Sequence, residues 1–251
     1  MGVSSLSVVI PAYDEAGCIA HTLERIDTWR RQVERDVEVI VVDDGSRDGT
    51  AALARRVGWV RVLQEAHRGK ACAVRTGMLA AKGDLVLFSD ADLAVPIEEA
   101  TRLIELQQAG YDVVIASREG SAARRTGEPW HRHVMGRVFN AVVRLLAVPG
   151  IHDTQCGFKL FTREACLSIF SALQLYDESS PELQAPAVTA FDVEVLFVAR
   201  LQGFRIAEVP VTWRFGEQSK VSCLRDSVYN FWDVIRVRWK ALRGCYGSAR
   251  S

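Results

Sequence analysis

Asp90 and Asp92 are two carboxylates one residue apart, directly after the apolar run Leu85-Val86-Leu87-Phe88. A run of that length and composition reads as a buried strand. In an open α/β sheet the ligand crevice lies at the carboxyl ends of the strands, so acids just past such a strand face a ligand and not the core. Both can reach one hard cation, and Mg²⁺ or Mn²⁺ is usually held by one or two carboxylates with substrate phosphates and water. The same spacing also suits an Asx-type turn that closes a strand. A second set of acids favours the metal: the strand-like segment at 37–42, apolar but for Glu38, ends in Asp43-Asp44-Gly45-Ser46, on the same sheet edge.

The elements that position these acids alternate. Residues 6–10, 37–42, 60–63, 85–88 and 113–116 read as strands, with helices expected over 16–31, 50–57 and 71–81. A fourth helix ends near Gly110, with Pro96 at its first position and Glu98 and Glu99 in its first turn. That alternation predicts an α/β fold with a mostly parallel, doubly wound sheet and helices on both faces. No G-x-G-x-x-G follows the first strand and no G-x-x-x-x-G-K-[ST] occurs, which excludes a dinucleotide fingerprint and a P-loop.

The second half is less regular. Residues 117–133 read as a long loop of the kind that carries function, 134–147 as an amphipathic helix with Arg137, Asn140 and Arg144, and 152–159 as a polar turn into a short strand. After a loop at 177–189, a helix is expected from Phe191 to about Gln202, and 205–213 reads as a strand whose Pro210 suggests an edge position. The last helix, 224–242, aligns Leu224, Val228, Phe231, Trp232, Ile235, Trp239 and Leu242. That stripe either lies in a membrane interface or packs on the sheet.

With 251 residues, 49% hydrophobic and 25% charged, the chain suits one large domain. Lys+Arg and Asp+Glu are equal at 31 each, so no global field argues for nucleic acid. The six cysteines form no CxxC pair, and reduced thiols are expected in place of disulfides or a zinc site. The first strand starts by Leu6 without a basic and apolar leader, and no apolar run approaches the roughly 18 residues that span a bilayer. The expectation is a cytoplasmic protein, peripheral on the cytoplasmic face of the membrane if its substrate is a lipid.

Taken together, Val9-Ile10-Pro11-Ala12-Tyr13-Asp14-Glu15, Val41-Val42-Asp43-Asp44-Gly45-Ser46-Arg47-Asp48-Gly49-Thr50, Gly69-Lys70 with Val74-Arg75-Thr76-Gly77, and Ser89-Asp90-Ala91-Asp92-Leu93 resemble glycosyltransferase family 2, with its GT-A nucleotide-sugar fold. Gly136-Arg137-Val138-Phe139-Asn140, Asp153-Thr154-Gln155-Cys156-Gly157-Phe158-Lys159, Phe191-Asp192-Val193-Glu194 and Glu208-Val209-Pro210-Val211-Thr212-Trp213 are similar to the dolichyl-phosphate and polyprenyl-phosphate branch, closest to its β-glucosyltransferase type. The resemblance implies one GT-A domain over 1–251, with a nucleotide-sugar-binding half at 5–117, an acceptor-binding half at 118–223 and the amphipathic helix at 224–243.

The roles that the resemblance implies fall on matching positions. Pro11, Tyr13, Glu15 and Asp43 would form the nucleoside pocket, with Asp44 and Lys70 beside it and Lys70 on a phosphate; Asp90 and Asp92 would hold Mg²⁺ or Mn²⁺. The implied reaction is an inverting transfer of glucose from UDP-glucose to a polyprenyl or dolichyl phosphate. GDP-mannose-dependent mannosyl transfer to the same lipid, or a soluble transfer to a small hydroxylated acceptor, are the alternatives. Ala94 stands where the mannosyl branch often has a polar residue, and Ala190 where an aromatic is expected before Phe191.

The acceptor decides what else is needed. A lipid monophosphate, with a second pKa near ~6, is largely dianionic at neutral pH and requires a cationic cradle, not a base. Arg118, Arg132, Arg137 and Lys220 are assigned to it, with Arg124, Arg125 and Ser219 as further neighbours. A hydroxyl must lose its proton during attack, and Asp153 and Asp192 are the carboxylates available for that; with Asp92 they complete the catalytic set. Each can equally be structural, Asp153 capping a turn and Asp192 serving as a first-turn helix acid. His131, His133 and His152 fall in loops.

Overall fold

The computed structural model describes residues 4–120, 123–126, 141, 143–144, 146–176, 180–183, 190–214 and 223–246, with the side chains of 125–126 and 223–230 left aside. The chain runs through β1 (Leu6–Ala12), α1 (Ile19–Arg30), β2 (Val37–Asp43), α2 (Thr50–Arg55), β3 (Val60–Gln64), α3 (Lys70–Ala80) and β4 (Leu85–Ser89). A 3-10 turn (Ile97–Glu99) leads into α4 (Ala100–Gln108), followed by β5 (Val113–Ser117), β6 (Arg124–Thr126), β7 (Phe158–Thr162), α5 (Arg163–Ala172), α6 (Phe191–Leu201), β8 (Ile206–Pro210), β9 (Thr212–Arg214) and α7 (Cys223–Leu242). Of the helix expected over 134–147, the helical residues described are 141, 143, 144 and 146; Arg137 and Asn140 lie outside the described residues.

Strand side chains alternate between two apolar layers, as a period of two requires. Val9, Ile40, Val42, Val86, Phe88, Val113 and Ile115 meet α3, α5, α6 and α7. Leu6, Val8, Ile10, Val39, Val41, Leu85, Leu87, Val114 and Ala116 meet α1, α2 and α4. With both faces covered, the central strands can be apolar throughout, which is why they are legible as continuous runs. α3 approaches the sheet so closely that a Cβ on Gly77 would lie 2.3 Å from Val9 Cγ1 and 2.8 Å from Val42 Cγ2.

The sheet order is β3-β2-β1-β4-β7-β5-β8. The expected parallel alternation holds except at β7, which inserts antiparallel between β4 and β5, pairing Ser89 with Phe158. Because β7 runs against its neighbours, it starts where they end. The segment 153–157 is thereby brought to the carboxyl edge of β4, next to Asp90.

Other boundaries differ for local reasons. Pro96 precedes the 3-10 turn by one residue instead of opening it, since its extended ψ of 139° is not helical. α5 was not expected; its signal is Thr162, whose hydroxyl accepts from Ala165 N at 3.2 Å, with Glu164 in the first turn. β8 does lie at the sheet edge and ends on Pro210, after which β9 leaves to pair with β6, so a short strand forms inside the expected 117–133 loop. α7 packs through Asp233, Val234 and Val237, and its predicted stripe, from Phe231 to Leu242, stays exposed. Among the described residues no helix is long and apolar enough to cross a membrane.

Candidate active site

β4 is buried throughout and delivers Asp90 and Asp92 at its carboxyl end. The Asp90 amide donates to the Gly157 carbonyl at 3.1 Å, and Leu93 N donates to the Asp90 carbonyl at 3.2 Å, which makes a tight turn with Leu93 at φ 48°. A leucine in that left-handed region costs on the order of 1 kcal/mol and persists only where its surroundings fix it. Asp92 Oδ1 accepts from Ala94 N at 3.0 Å, so the acid also forms the Asx turn that its spacing allows. Burial first, and then the charge of Asp90, raise the pKa of Asp92 against the opposing pull of Ala94 N and Lys70. The two acids are thus close enough to repel.

Lys70, the first residue of α3, relieves that repulsion. Its Nζ is 2.5 Å from Asp90 Oδ1. Desolvation works against the ammonium, yet Asp90, Asp192 and Asp92 together raise its pKa, so it is charged at neutral pH. Among the described residues no three His, Cys, Asp or Glu side chains group to hold a metal by themselves. Asp90 and Asp92, near enough to raise one carboxyl by the charge of the other, are hard oxygen donors of the kind that fits a divalent cation completing its shell from a phosphate-bearing ligand.

β2 ends beside it. Asp44 accepts from the backbone of Arg68 at 2.8 Å and of Gly69 at 2.9 Å, and its Oδ2 is 2.7 Å from His67 Nδ1. Burial raises the Asp44 pKa, and these hydrogen bonds offset it in part. Asp44 thereby fixes the loop that launches α3 and aims Lys70. Asp43 differs: it is fully buried, and among the described residues neither of its oxygens has a hydrogen-bond partner.

β1 completes this side. Pro11 pairs with Val42 in the sheet, and the Tyr13 ring stacks on His67 at 3.8 Å with an interplanar angle of 11°. His67 Nε2 is buried and, like Asp43, unpartnered among the described residues. His67 was not assigned a role from the sequence; its place two residues before Gly69 was the available signal. Glu15 N donates to Thr50 Oγ1 at 2.8 Å, and the Glu15 charge adds to the rise at Asp92.

The antiparallel start of β7 supplies the opposite wall. Arg118, just past β5, grips the buried Asp153 through Nε at 2.7 Å, Nη2 at 2.9 Å and its own amide at 2.8 Å. Burial alone would raise the Asp153 carboxyl, but the Arg118 charge and hydrogen bonds outweigh it and hold the pKa at about 2. Lys159 Nζ donates to the Cys156 carbonyl at 2.6 Å and pairs with Asp192, the second residue of α6. The Lys70 and Lys159 ammoniums sit 5.3 Å and 5.7 Å from the Phe88 ring centroid, which ties both walls to one side chain of β4. Arg124 is exposed in β6. Arg132, Arg137, Ser219, Lys220, His131 and His133 lie outside the described residues.

Residues 7–170 match the family model described as glycosyl transferase family 2. The chain is 34% identical to a dolichyl-phosphate beta-glucosyltransferase of Homo sapiens, covering 96% of this chain and 77% of that one. It is 31% identical to the protein of the same name from Dictyostelium discoideum, over 96% and 76% of the two chains. Among solved structures it superimposes on glucosyl-3-phosphoglycerate synthase from Mycobacterium tuberculosis in complex with Mn²⁺ and UDP-glucose, with a TM-score of 0.62 and 22% identity over 99% of this chain and 81% of that one.

Proposed function

Because this chain belongs to glycosyl transferase family 2, we propose that it transfers glucose from UDP-glucose, with inversion, to the phosphate of a polyprenyl or dolichyl-type lipid. The relatives named for that acceptor and sugar support it, and so does one feature of the crevice. Both carboxylates available as bases are held by cations: Asp153 by Arg118 and Asp192 by Lys159. With its pKa held at about 2, Asp153 is too weak a base to take an alcohol proton. A phosphate dianion brings its own nucleophile and needs no base.

In this reading Tyr13, His67 and the unpartnered Asp43 receive the nucleoside, and Asp43 accepts from a base or ribose N–H or O–H. Lys70 takes a donor phosphate. Mg²⁺ or Mn²⁺ on Asp90 and Asp92 would supply Lewis-acid stabilisation of the departing diphosphate. Arg118, oriented by Asp153, meets the acceptor phosphate together with Arg132, Arg137 and Lys220. Asp153 and Asp192 act as positioning residues, and the bound phosphate oxygen attacks the anomeric carbon from the face opposite the leaving group.

The test is transfer of label from UDP-glucose or GDP-mannose, with Mg²⁺ or Mn²⁺, into the organic phase with and without polyprenyl phosphate. Lipid-dependent and metal-dependent counts from UDP-glucose are expected. Counts from GDP-mannose alone would replace the donor, and UDP release driven only by small hydroxylated acceptors would overturn the acceptor.

A further inference from the structure

α7 presents two unlike faces. Asp233, Val234 and Val237 are buried against the core, while Phe231 is 41% exposed, Trp232 58%, Ile235 36%, Trp239 51% and Leu242 82%. At about 100° per residue these five fall within an arc of roughly 100°. Arg238 borders it on one side, and Arg236 and Arg243 on the other. From Phe231 to Leu242 the only acid is the buried Asp233. The Arg243 guanidinium lies 3.5 Å from the Trp239 ring centroid, so an aromatic and a cation already share one edge.

We infer that this face docks on an anionic lipid bilayer, with Phe231, Trp232, Ile235, Trp239 and Leu242 in the acyl boundary and the arginines on the headgroups. A contiguous apolar surface of this kind is uncommon on a protein that contacts only water. A second copy of the chain is the poorer occupant, because a two-fold interface sets the same patch against itself and brings the bordering arginines together. Anionic headgroups complement them. The placement also suits the crevice: next to Trp232, Asp233 accepts from Ala190 N at 3.1 Å, and Ala190 precedes the turn that carries Asp192. The inference deepens the lipid-phosphate reading but is tested apart from it.

The experiment is co-sedimentation of the full chain, without donor or acceptor, with vesicles of phosphatidylcholine alone or mixed with phosphatidylglycerol. Binding to the anionic vesicles that weakens in high salt is expected. Trp232→Glu combined with Trp239→Glu, both at exposed positions, should reduce it by at least about tenfold while circular dichroism stays unchanged. Transfer to a short-chain, water-soluble polyprenyl phosphate without vesicles reports on the acceptor reading separately. Absence of vesicle binding, equal binding by wild type and double variant, or a concentration-dependent dimer that the double variant abolishes would each overturn the inference.

Discussion

The Asp90 carboxylate lies against the bare Cα of Gly157: a Cβ there would sit 2.0 Å from Oδ2 and 2.6 Å from Oδ1. Gly157 has no left-handed φ, so Gly157→Ala strains no backbone and its whole effect falls on Asp90. The carboxylate, about a third exposed, can swing aside, and the fold should keep its melting temperature. A displacement of about 1 Å in a catalytic group lowers turnover by roughly a hundredfold. Steady-state kinetics against metal concentration check this. Undiminished kcat would show that the position of Asp90 is immaterial.

Asp43 is buried without a partner among the described residues, while adjacent Asp44 is satisfied by the His67–Gly69 loop. An unmet buried polar group destabilises by about 1–3 kcal/mol, which a ligand donor would relieve. Asp43→Asn is therefore expected to weaken UDP binding by about tenfold or more while the free protein melts no lower than wild type. Titration calorimetry and thermal melts give the two numbers. Unchanged UDP affinity would remove Asp43 from the nucleoside pocket.

The strands and the acids at their ends were legible because the strands of the parallel half are apolar runs, broken only by Ser7, Glu38 and Arg61, and polar residues follow them. What the sequence hid was long-range. Asp153 and Asp192 read as available carboxylates because Arg118 and Lys159 are 35 and 33 residues away. Their pairing follows from the antiparallel insertion of β7, which no local pattern at 158–162 announces. His67 escaped for the same reason: its stack on Tyr13 joins the ends of different strands.

The Arg118–Asp153 pair sets a pH dependence. Asp153 titrates at about 2 in the folded protein and near ~3.9 when unfolded, so its contribution of roughly 2 kcal/mol is full above about pH 4 and is lost as pH falls toward 2. Asp153→Asn leaves a largely buried guanidinium without its carboxylate and should lower stability near neutral pH by about 3 kcal/mol. The gap between variant and wild type in urea unfolding should narrow below about pH 4. Acceptor KM is expected to rise more than kcat falls. The reverse split would make Asp153 a base.

Asp233 links α7 to the crevice by accepting from Tyr176 Oη at 2.5 Å and from Ala190 N at 3.1 Å. Those two bonds can be separated. Tyr176→Phe removes one and should cost about 1 kcal/mol, leaving Ala190 held and the kinetic constants near wild type. Asp233→Ala strips the buried Ala190 amide and the half-buried Tyr176 hydroxyl of their acceptor, which should cost about 2–4 kcal/mol and loosen the first turn of α6, where Asp192 holds Lys159. Turnover should then fall with stability, beyond what unfolding at the assay temperature explains. If Asp233→Ala destabilises to that extent but the folded fraction keeps wild-type kcat and KM, α7 is anchored independently of the crevice, and its contribution to function is confined to its outer face.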